Sequence, residues 1–187
     1  QLPTVLPDGT GGHYAIPAYA LDNYTAEVTV FLDWGFPQLT GRPATPDERA
    51  AFLALWRPLF DEVLAAPQTW CLRDSHSPNL LWLDDRAGLA RVGILDFQDT
   101  ILGHPVYDLV SLAQDARVTV PAELEADLVA RYVAGRRAGD PGFDEAAFRR
   151  AYAILSFQRN TRILGVFARL KLRDGRPHYV KHMPRLW

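Results

Sequence analysis

Leu72-Arg73-Asp74-Ser75-His76-Ser77-Pro78-Asn79 is a polar loop set between two short apolar runs, Trp70-Cys71-Leu72 before it and Leu80-Leu81-Trp82-Leu83 after it. Apolar runs of that length read as strands, and Pro78 restricts the shape of the loop between them. Polar side chains on a loop held by rigid strands are where catalytic groups sit. A third run, Arg91-Val92-Gly93-Ile94-Leu95, follows the turn-like Asp84-Asp85-Arg86-Ala87-Gly88, so the second and third runs are expected to pair as a hairpin. That hairpin returns Asp96, in Leu95-Asp96-Phe97-Gln98-Asp99, to the side of Asn79, which lies seventeen residues earlier.

Helical patterns lie on both sides of this β insert. From Ala20 to Phe36 the aromatics Tyr24, Phe31, Trp34 and Phe36 mix with Leu21, Val28, Val30 and Leu32 in a pattern that leans helical, with Gly35 and Pro37 expected to end it. Thr45-Pro46-Asp47-Glu48 offers an N-cap hydroxyl, a proline at the first helical position and a glutamate placed to complete a capping box. Phe52, Leu55, Trp56, Leu59, Phe60 and Val63 then recur at three- and four-residue steps as one apolar stripe, and Pro67 closes the element. Beyond Pro105, helices are expected over Val106 to Gln114, Pro121 to about Ala134 and Asp144 to about Arg173, the last stopped by Gly175-Arg176-Pro177. Residues 1–18 mix Pro, Gly and Asp with isolated apolar residues and read as a lead-in or linker segment. The layout is α+β, a small β insert within a mainly helical domain.

Composition narrows the function classes. A chain of 187 residues with 48% hydrophobic and 22% charged content suits one well-buried globular domain. A net charge of -2 leaves no basic excess to neutralise a phosphate backbone, so nucleic acid is not the expected partner. Cys71 is the sole cysteine, which excludes an internal disulfide and fits a reducing compartment. No basic region followed by an apolar run and a small-residue cleavage site occurs near the N-terminus, and charges interrupt every hydrophobic segment short of bilayer length. A cytoplasmic, non-membrane protein is expected, and a chain starting at Gln1 suggests a piece of a longer one.

Phosphoryl transfer needs a carboxylate near the acceptor hydroxyl and hard oxygen ligands for magnesium bridging the nucleotide phosphates. Asp74, Asn79 and Asp96 supply that set, and Leu-Arg-Asp-x-x-x-x-Asn with Asp-Phe-Gln parallels the kinase strings H-R-D-x-x-x-x-N and D-F-G. The segment from about Trp70 to Asp115 resembles the aminoglycoside phosphotransferase and choline kinase-like superfamily. Leu72 through Leu83, Leu95 through Asp99, and Gly103-His104-Pro105-Val106-Tyr107-Asp108-Leu109-Val110-Ser111-Leu112 look like the anomeric kinases of N-acetylmuramate and N-acetylglucosamine. Glu27 through Trp34 looks like their acceptor-side helix.

The resemblance implies ATP and magnesium as cofactors, Asp74 as catalytic base or acceptor-orienting carboxylate, and Asn79 and Asp96 as magnesium and nucleotide ligands. It implies that Asp108 braces the catalytic loop. It also implies that residues 19–187 are the C-terminal lobe of a protein-kinase-like fold, with 1–18 leading from an N-terminal lobe that is missing. That lobe normally supplies a nucleotide-covering loop and a strand lysine. Here the lysines are Lys171 and Lys181, near the C-terminus, and Gly9-Thr10-Gly11-Gly12 lacks the spacing of a phosphate loop. The lobe alone is expected to be inactive. Leu72 stands where many relatives carry histidine, and His76 offers a substitute bond. Gln98 replaces the glycine of protein kinases.

Each sharp reading has a bland counterpart. Glu27, Asp33 and His76 are candidate sugar contacts, yet carboxylates on a partly exposed helix are usually solvated, and His76 and His104 read first as hydrogen-bonding residues. Arg159, Asn160 and Arg162 suit an acidic acceptor such as the lactyl group of muramate, against the bland alternative of exposed helix charges. Transfer of the ATP γ-phosphate to a hydroxyl of a small amino sugar is the leading expectation, the anomeric hydroxyl being what the subfamily likeness implies. An aminoglycoside or choline-type acceptor ranks lower, because a polycation needs several carboxylates and the acceptor-side helix offers Asp22, Glu27 and Asp33. A noncatalytic binding module that keeps the kinase fold is the rival from another class.

Overall fold

Thr45 caps a helix in the way its sequence requires. Its Oγ accepts a bond from the Glu48 amide at 3.2 Å while the Glu48 carboxylate accepts one from the Thr45 amide at 2.9 Å. In the computed structural model, which describes residues 2–187, this opens one of six α-helices set among short antiparallel strand pairs, the mixed architecture expected. The chain divides into two compact units, one formed by residues up to Tyr19 with Ala66–Phe148, the other by Ala20–Ala65 with Arg149–Trp187. No helix among the described residues is long and apolar enough to cross a membrane.

Among the described residues, the first unit carries all the strands. β1 (Val5–Pro7) and β2 (His13–Ala15) pair as a hairpin whose turn is organised by Asp8. Its Oδ1 accepts from the amides of Thr10 and Gly12, both at 2.9 Å, so these two amides of the glycine-rich string are satisfied within the turn. Gly9 and Gly11, with φ of 79° and 93°, supply the left-handed conformations that the turn demands. Of the lead-in segment, Gln1 lies outside the described residues; the rest is tied to the unit. The Trp70 indole donates to the Pro3 carbonyl at 2.8 Å, and Ala18 bridges in parallel to Leu102.

β3 (Thr69–Cys71) pairs with β6 (Ile101–Gly103), and β4 (Leu80–Trp82) with β5 (Val92–Ile94). The β4–β5 hairpin matches the sequence reading, with Leu80 opposite Ile94 and Trp82 opposite Val92. β6 was not anticipated, because its pairing partner is remote in the chain and its three residues carry no periodic signal. Three helix segments follow: α4 (Tyr107–Ala113), α5 (Ala122–Gly139), which runs past the expected end near Ala134, and the first turn of α6 (Glu145–Leu172). Val106, Tyr107, Val110, Ala113 and Cys71 are buried at the centre of this unit.

In the second unit the helix α1 (Leu21–Val30) does not stop at Gly35. It continues through a π-helical turn, Phe31–Gly35, into α2 (Phe36–Thr40), and ends at Gly41, whose φ is 74°. A proline inside a regular helix collides with the carbonyl four residues back, and the π turn immediately before Pro37 is where the regular ladder is given up. α3 (Pro46–Ala65) buries Trp56, Phe60 and Val63. Leu55 departs from the expected stripe and is 74% exposed, being a full 100° around the helix from Trp56. Tyr24, Phe60, Trp56 and Phe157 form a run of stacked rings. From Arg149 onward α6 buries residues on nearly every side, among them Leu155, Gln158, Arg159, Ile163 and Phe167, as befits a central helix.

Candidate active site

The loop between β3 and β4 hangs from α4. At its start the Asp108 carboxylate accepts bonds from the amides of Leu72 at 2.8 Å and Arg73 at 3.0 Å, and the Ser111 hydroxyl donates to the Arg73 carbonyl at 2.9 Å. Arg73 needs this support, since its φ of 69° lies in the left-handed region that L-residues other than glycine adopt at a cost. Its guanidinium lies over the Tyr19 ring, 5.7 Å from the centroid. At the loop's far end the Asp115 carboxylate accepts from the Ser77 amide at 2.9 Å, and also from the amides of Arg117 and Val118. Burial pushes the Asp115 carboxyl upward, but the three backbone amides outweigh it and hold the group below the ordinary range.

One carbonyl oxygen gathers the middle of the loop. Asp74 O receives the His76 amide at 2.8 Å, the His76 imidazole Nδ1 at 2.8 Å and the Asn79 Nδ2 at 3.0 Å. Asn79 Nδ2 also donates to Asp96 Oδ2 at 3.3 Å, so the expected return of Asp96 beside Asn79 is realised. The β4–β5 ladder continues into the Leu95 amide donating to the Asn79 carbonyl at 2.9 Å, which is what carries Asp96 to that place. Asp96 has a φ of 57°, a second strained residue at the same site, and its Oδ1 accepts from Gln98 at 2.6 Å. The Asp74 carboxylate makes no hydrogen bond with any described residue; all the loop's bonds at this position fall on its backbone.

This donor set fits magnesium. With Nδ2 committed to Asp74 O and Asp96, the Asn79 amide leaves Oδ1 without a hydrogen bond to any described residue, and Asp96 keeps lone pairs on both carboxylate oxygens. Magnesium favours hard oxygen ligands, takes one or two from protein, and completes its shell with water and phosphate oxygens. Among the described residues no group of three His, Cys, Asp or Glu side chains could hold a metal without such help.

The remaining sequence candidates are placed as follows. Asp74, Asn79, Asp96 and His76 share the first unit, whereas Glu27 and Asp33 belong to the second. Glu27 is not solvated as its bland reading held. It is 9% exposed, accepts from Gln158 at 2.8 Å and pairs with Arg162 at 3.2 Å. Arg159 is buried too, because α6 is enclosed there, so the reading of exposed helix charges fails for it. Asp33 is a half-exposed partner of Arg49 at 2.6 Å. Cys71 donates to the His104 carbonyl at 3.2 Å, and burial followed by the Asp108 charge pushes its thiol up to about 12, which makes it a packed residue and not a nucleophile. Sequence reasoning passed over Ser111, Asp115 and Arg117. Asp115 carried one available signal, an acidic residue just past the end of a helix.

Proteins of known name are similar to this chain in sequence. The chain is 43% identical over 158 residues to the N-acetylmuramate/N-acetylglucosamine kinase of Caulobacter vibrioides, covering 84% of this chain and 42% of that protein. It is 35% identical over 174 residues to the protein of the same name from Neisseria meningitidis serogroup B, covering 91% and 50%. The corresponding protein of Pseudomonas putida is 32% identical over 174 residues, with 92% and 50% covered. The chain thus spans about half the length of the curated relatives it matches. The model of the phosphotransferase enzyme family matches residues 17–148, the stretch that holds the loop, both strained residues and α4, and the chain belongs to that family.

Proposed function

We propose that this chain is the C-terminal lobe of a small-molecule kinase that transfers the γ-phosphate of ATP to a hydroxyl of an amino sugar, the anomeric hydroxyl of N-acetylmuramate or N-acetylglucosamine. The observation that carries the reading is the division of labour at the loop. Asp74 has a carboxylate left unengaged while its carbonyl is triply bonded, and Asn79 and Asp96 meet beside it. The names of the relatives from Caulobacter and Neisseria supply the acceptor class.

In this reading Asp74 accepts a hydrogen bond from the acceptor hydroxyl, aligns its oxygen and takes its proton as the bond to phosphorus forms. Asn79 Oδ1 and Asp96 would hold magnesium, which when bound supplies charge neutralisation for the nucleotide phosphates. Asp33, paired with Arg49, is carried as a sugar contact only by the likeness of its segment to the acceptor-side helix of those kinases, and Glu27, enclosed by Gln158 and Arg162, braces its helix. His76 acts through the backbone of the loop and not on the sugar.

Two observations support the assignment to one lobe of a larger catalytic body. The chain spans about half the length of its relatives. The first unit leaves Leu81, Trp82, Val92, Ile94, Leu95 and Phe97 exposed, and Ile94 and Phe97 also line an apolar cavity of about 440 Å³ with Leu6, Tyr14, Ile16 and Trp70. Apolar surface of that extent ordinarily meets further protein. Residues 1–18 would lead from that further portion, residues 19–187 forming the lobe.

The test is ATP consumption by the intact protein carrying this chain with N-acetylmuramate, N-acetylglucosamine, kanamycin or choline, repeated with Asp74→Asn. Turnover with an amino sugar that the variant loses is the expected result. Turnover with kanamycin or choline alone overturns the acceptor assignment, and magnesium-independent behaviour with no turnover at all overturns the kinase reading.

A further inference from the structure

The loop's centre is connected to a residue that the reaction, as described, does not use. His76 is 6% exposed, and both of its ring nitrogens are engaged. Nδ1 faces the Asp74 carbonyl at 2.8 Å, and Nε2 faces the guanidinium of Arg117. A guanidinium can only donate, so Nε2 must accept and the ring proton must sit on Nδ1, where it donates to Asp74 O. The Asp74 carbonyl, which can only accept, and the Arg117 guanidinium, which can only donate, therefore favour the same Nδ1–H tautomer of His76. The backbone around it is fixed separately, because the Asp115 carboxylate holds the amides of Arg117 and Val118 on one side and of Ser77 on the other.

The tautomer matters for what lies on the far side of the same oxygen. Asp74 O also accepts from Asn79 Nδ2, and that bond is one of the two that fix the orientation of the Asn79 amide. With the opposite tautomer, the Nδ1 lone pair would face the carbonyl lone pairs at hydrogen-bond distance, and the loop would have to move away. We propose that Arg117 is a positioning residue for the catalytic loop, acting through the Nδ1–H tautomer of His76 on the Asp74 carbonyl and so on the orientation of Asn79. The role in catalysis rests on the kinase reading above, whereas the tautomer assignment stands on geometry alone.

The experiment has two arms, both on the intact protein. Long-range ¹H–¹⁵N correlation of the imidazoles reports the His76 tautomer directly. The wild type is expected to show Nδ1–H alone, and Arg117→Met, which keeps the Asp74 carbonyl but frees Nε2, is expected to show a measurable share of Nε2–H beside it. A wild type in the Nε2–H form, or a tautomer unchanged by the substitution, overturns the proposal.

The second arm is the magnesium dependence of turnover. Arg117→Met should raise the half-saturating magnesium concentration by about tenfold, in line with the usual effect of residues that orient a metal ligand from behind. Arg117→Lys, which keeps a cationic donor, should recover part of the loss, and His76→Phe combined with Arg117→Met should be no worse than His76→Phe alone. A merely structural role would reduce the amount of active protein and leave the half-saturating concentration where it was, which also overturns the proposal. Absence of turnover in the wild type, with the tautomer result as expected, sinks the kinase reading and leaves the loop geometry established.

Discussion

Asp108 spans the two amides that lead into the catalytic loop, meeting Arg73 N at 3.0 Å where Arg73 turns left-handed with a φ of 69°. The same carboxylate takes Leu72 N at 2.8 Å, so both of its oxygens are used. Bonds from backbone amides to an ionised acceptor contribute about 1.5–3 kcal/mol each. Asp108→Asn puts an NH₂ where one of those oxygens was, facing an N–H. We expect a loss of about 2 kcal/mol in chemical denaturation and a fall in turnover of at least about tenfold. Unchanged stability would mean that Arg73 is held in its conformation by other contacts.

Asp96 is held at a φ of 57° next to the residue that would share its metal. A left-handed L-residue costs about 1 kcal/mol, and glycine removes that cost. Asp96→Gly is therefore expected to raise the melting temperature slightly, or leave it unchanged, while abolishing magnesium-dependent turnover. Asp96→Ala loses the carboxylate and keeps the strain, so it should be less stable than the glycine variant. Comparing the two melts decides the matter: an alanine variant as stable as the glycine one would show that the backbone there carries no strain.

The features that could be read directly were those whose signal is local. The capping box at Thr45 and Glu48 is a four-residue pattern, and the structure forms both of its bonds. The β4–β5 hairpin is marked by its turn, and the spacing of Asn79 and Asp96 follows from that hairpin's return. β6 was invisible because Trp70 meets Leu102 only after the chain has passed through the whole hairpin. The burial of Arg159 and Glu27 is equally nonlocal, since α6 is enclosed by elements that its own periodicity does not describe. Asp115 and Arg117 were passed over for the same reason: their partners Ser77 and His76 lie on the other side of three strands.

His104 makes the first unit sensitive to acid. It is buried, its Nδ1 accepts from the Val106 amide at 3.2 Å, and it holds the turn that delivers α4. Burial, and then the positive charge of Arg136, lower its folded-state value from 6.5 to about 4. Between those values the unfolded chain binds a proton that the folded chain refuses, so stability falls as pH drops from about 6.5 to about 4 and is fully present above 6.5. The contribution is roughly 3 kcal/mol at most. Denaturation curves at pH 7 and pH 4.5 should differ by more in the wild type than in His104→Asn, which keeps an acceptor but does not titrate. An equal pH dependence in both proteins would assign the acid sensitivity elsewhere.

At Gly165, α6 lies against the backbone at the end of α1. A Cβ built on it would lie 2.5 Å from the Phe31 nitrogen and 2.5 Å from the Val30 carbonyl carbon and oxygen, all of them backbone atoms. No rotamer change can relieve such a contact; one helix has to move. The contact falls at the start of the π-helical turn, Phe31–Gly35, so a shift there would also disturb the segment that carries Asp33. Overpacking of a closed site costs about 1–3 kcal/mol and more when backbone is involved, and we expect Gly165→Ala to lose about 3 kcal/mol. Gly135, on α5, offers the comparison, because a Cβ there meets nothing within 4 Å and alanine is the better helix former by about 1 kcal/mol. Gly135→Ala should therefore stabilise the protein, and the two substitutions should move the melting temperature in opposite directions. A Gly165→Ala protein that melts with the wild type would mean that the helices are not pressed together at Val30 and Phe31.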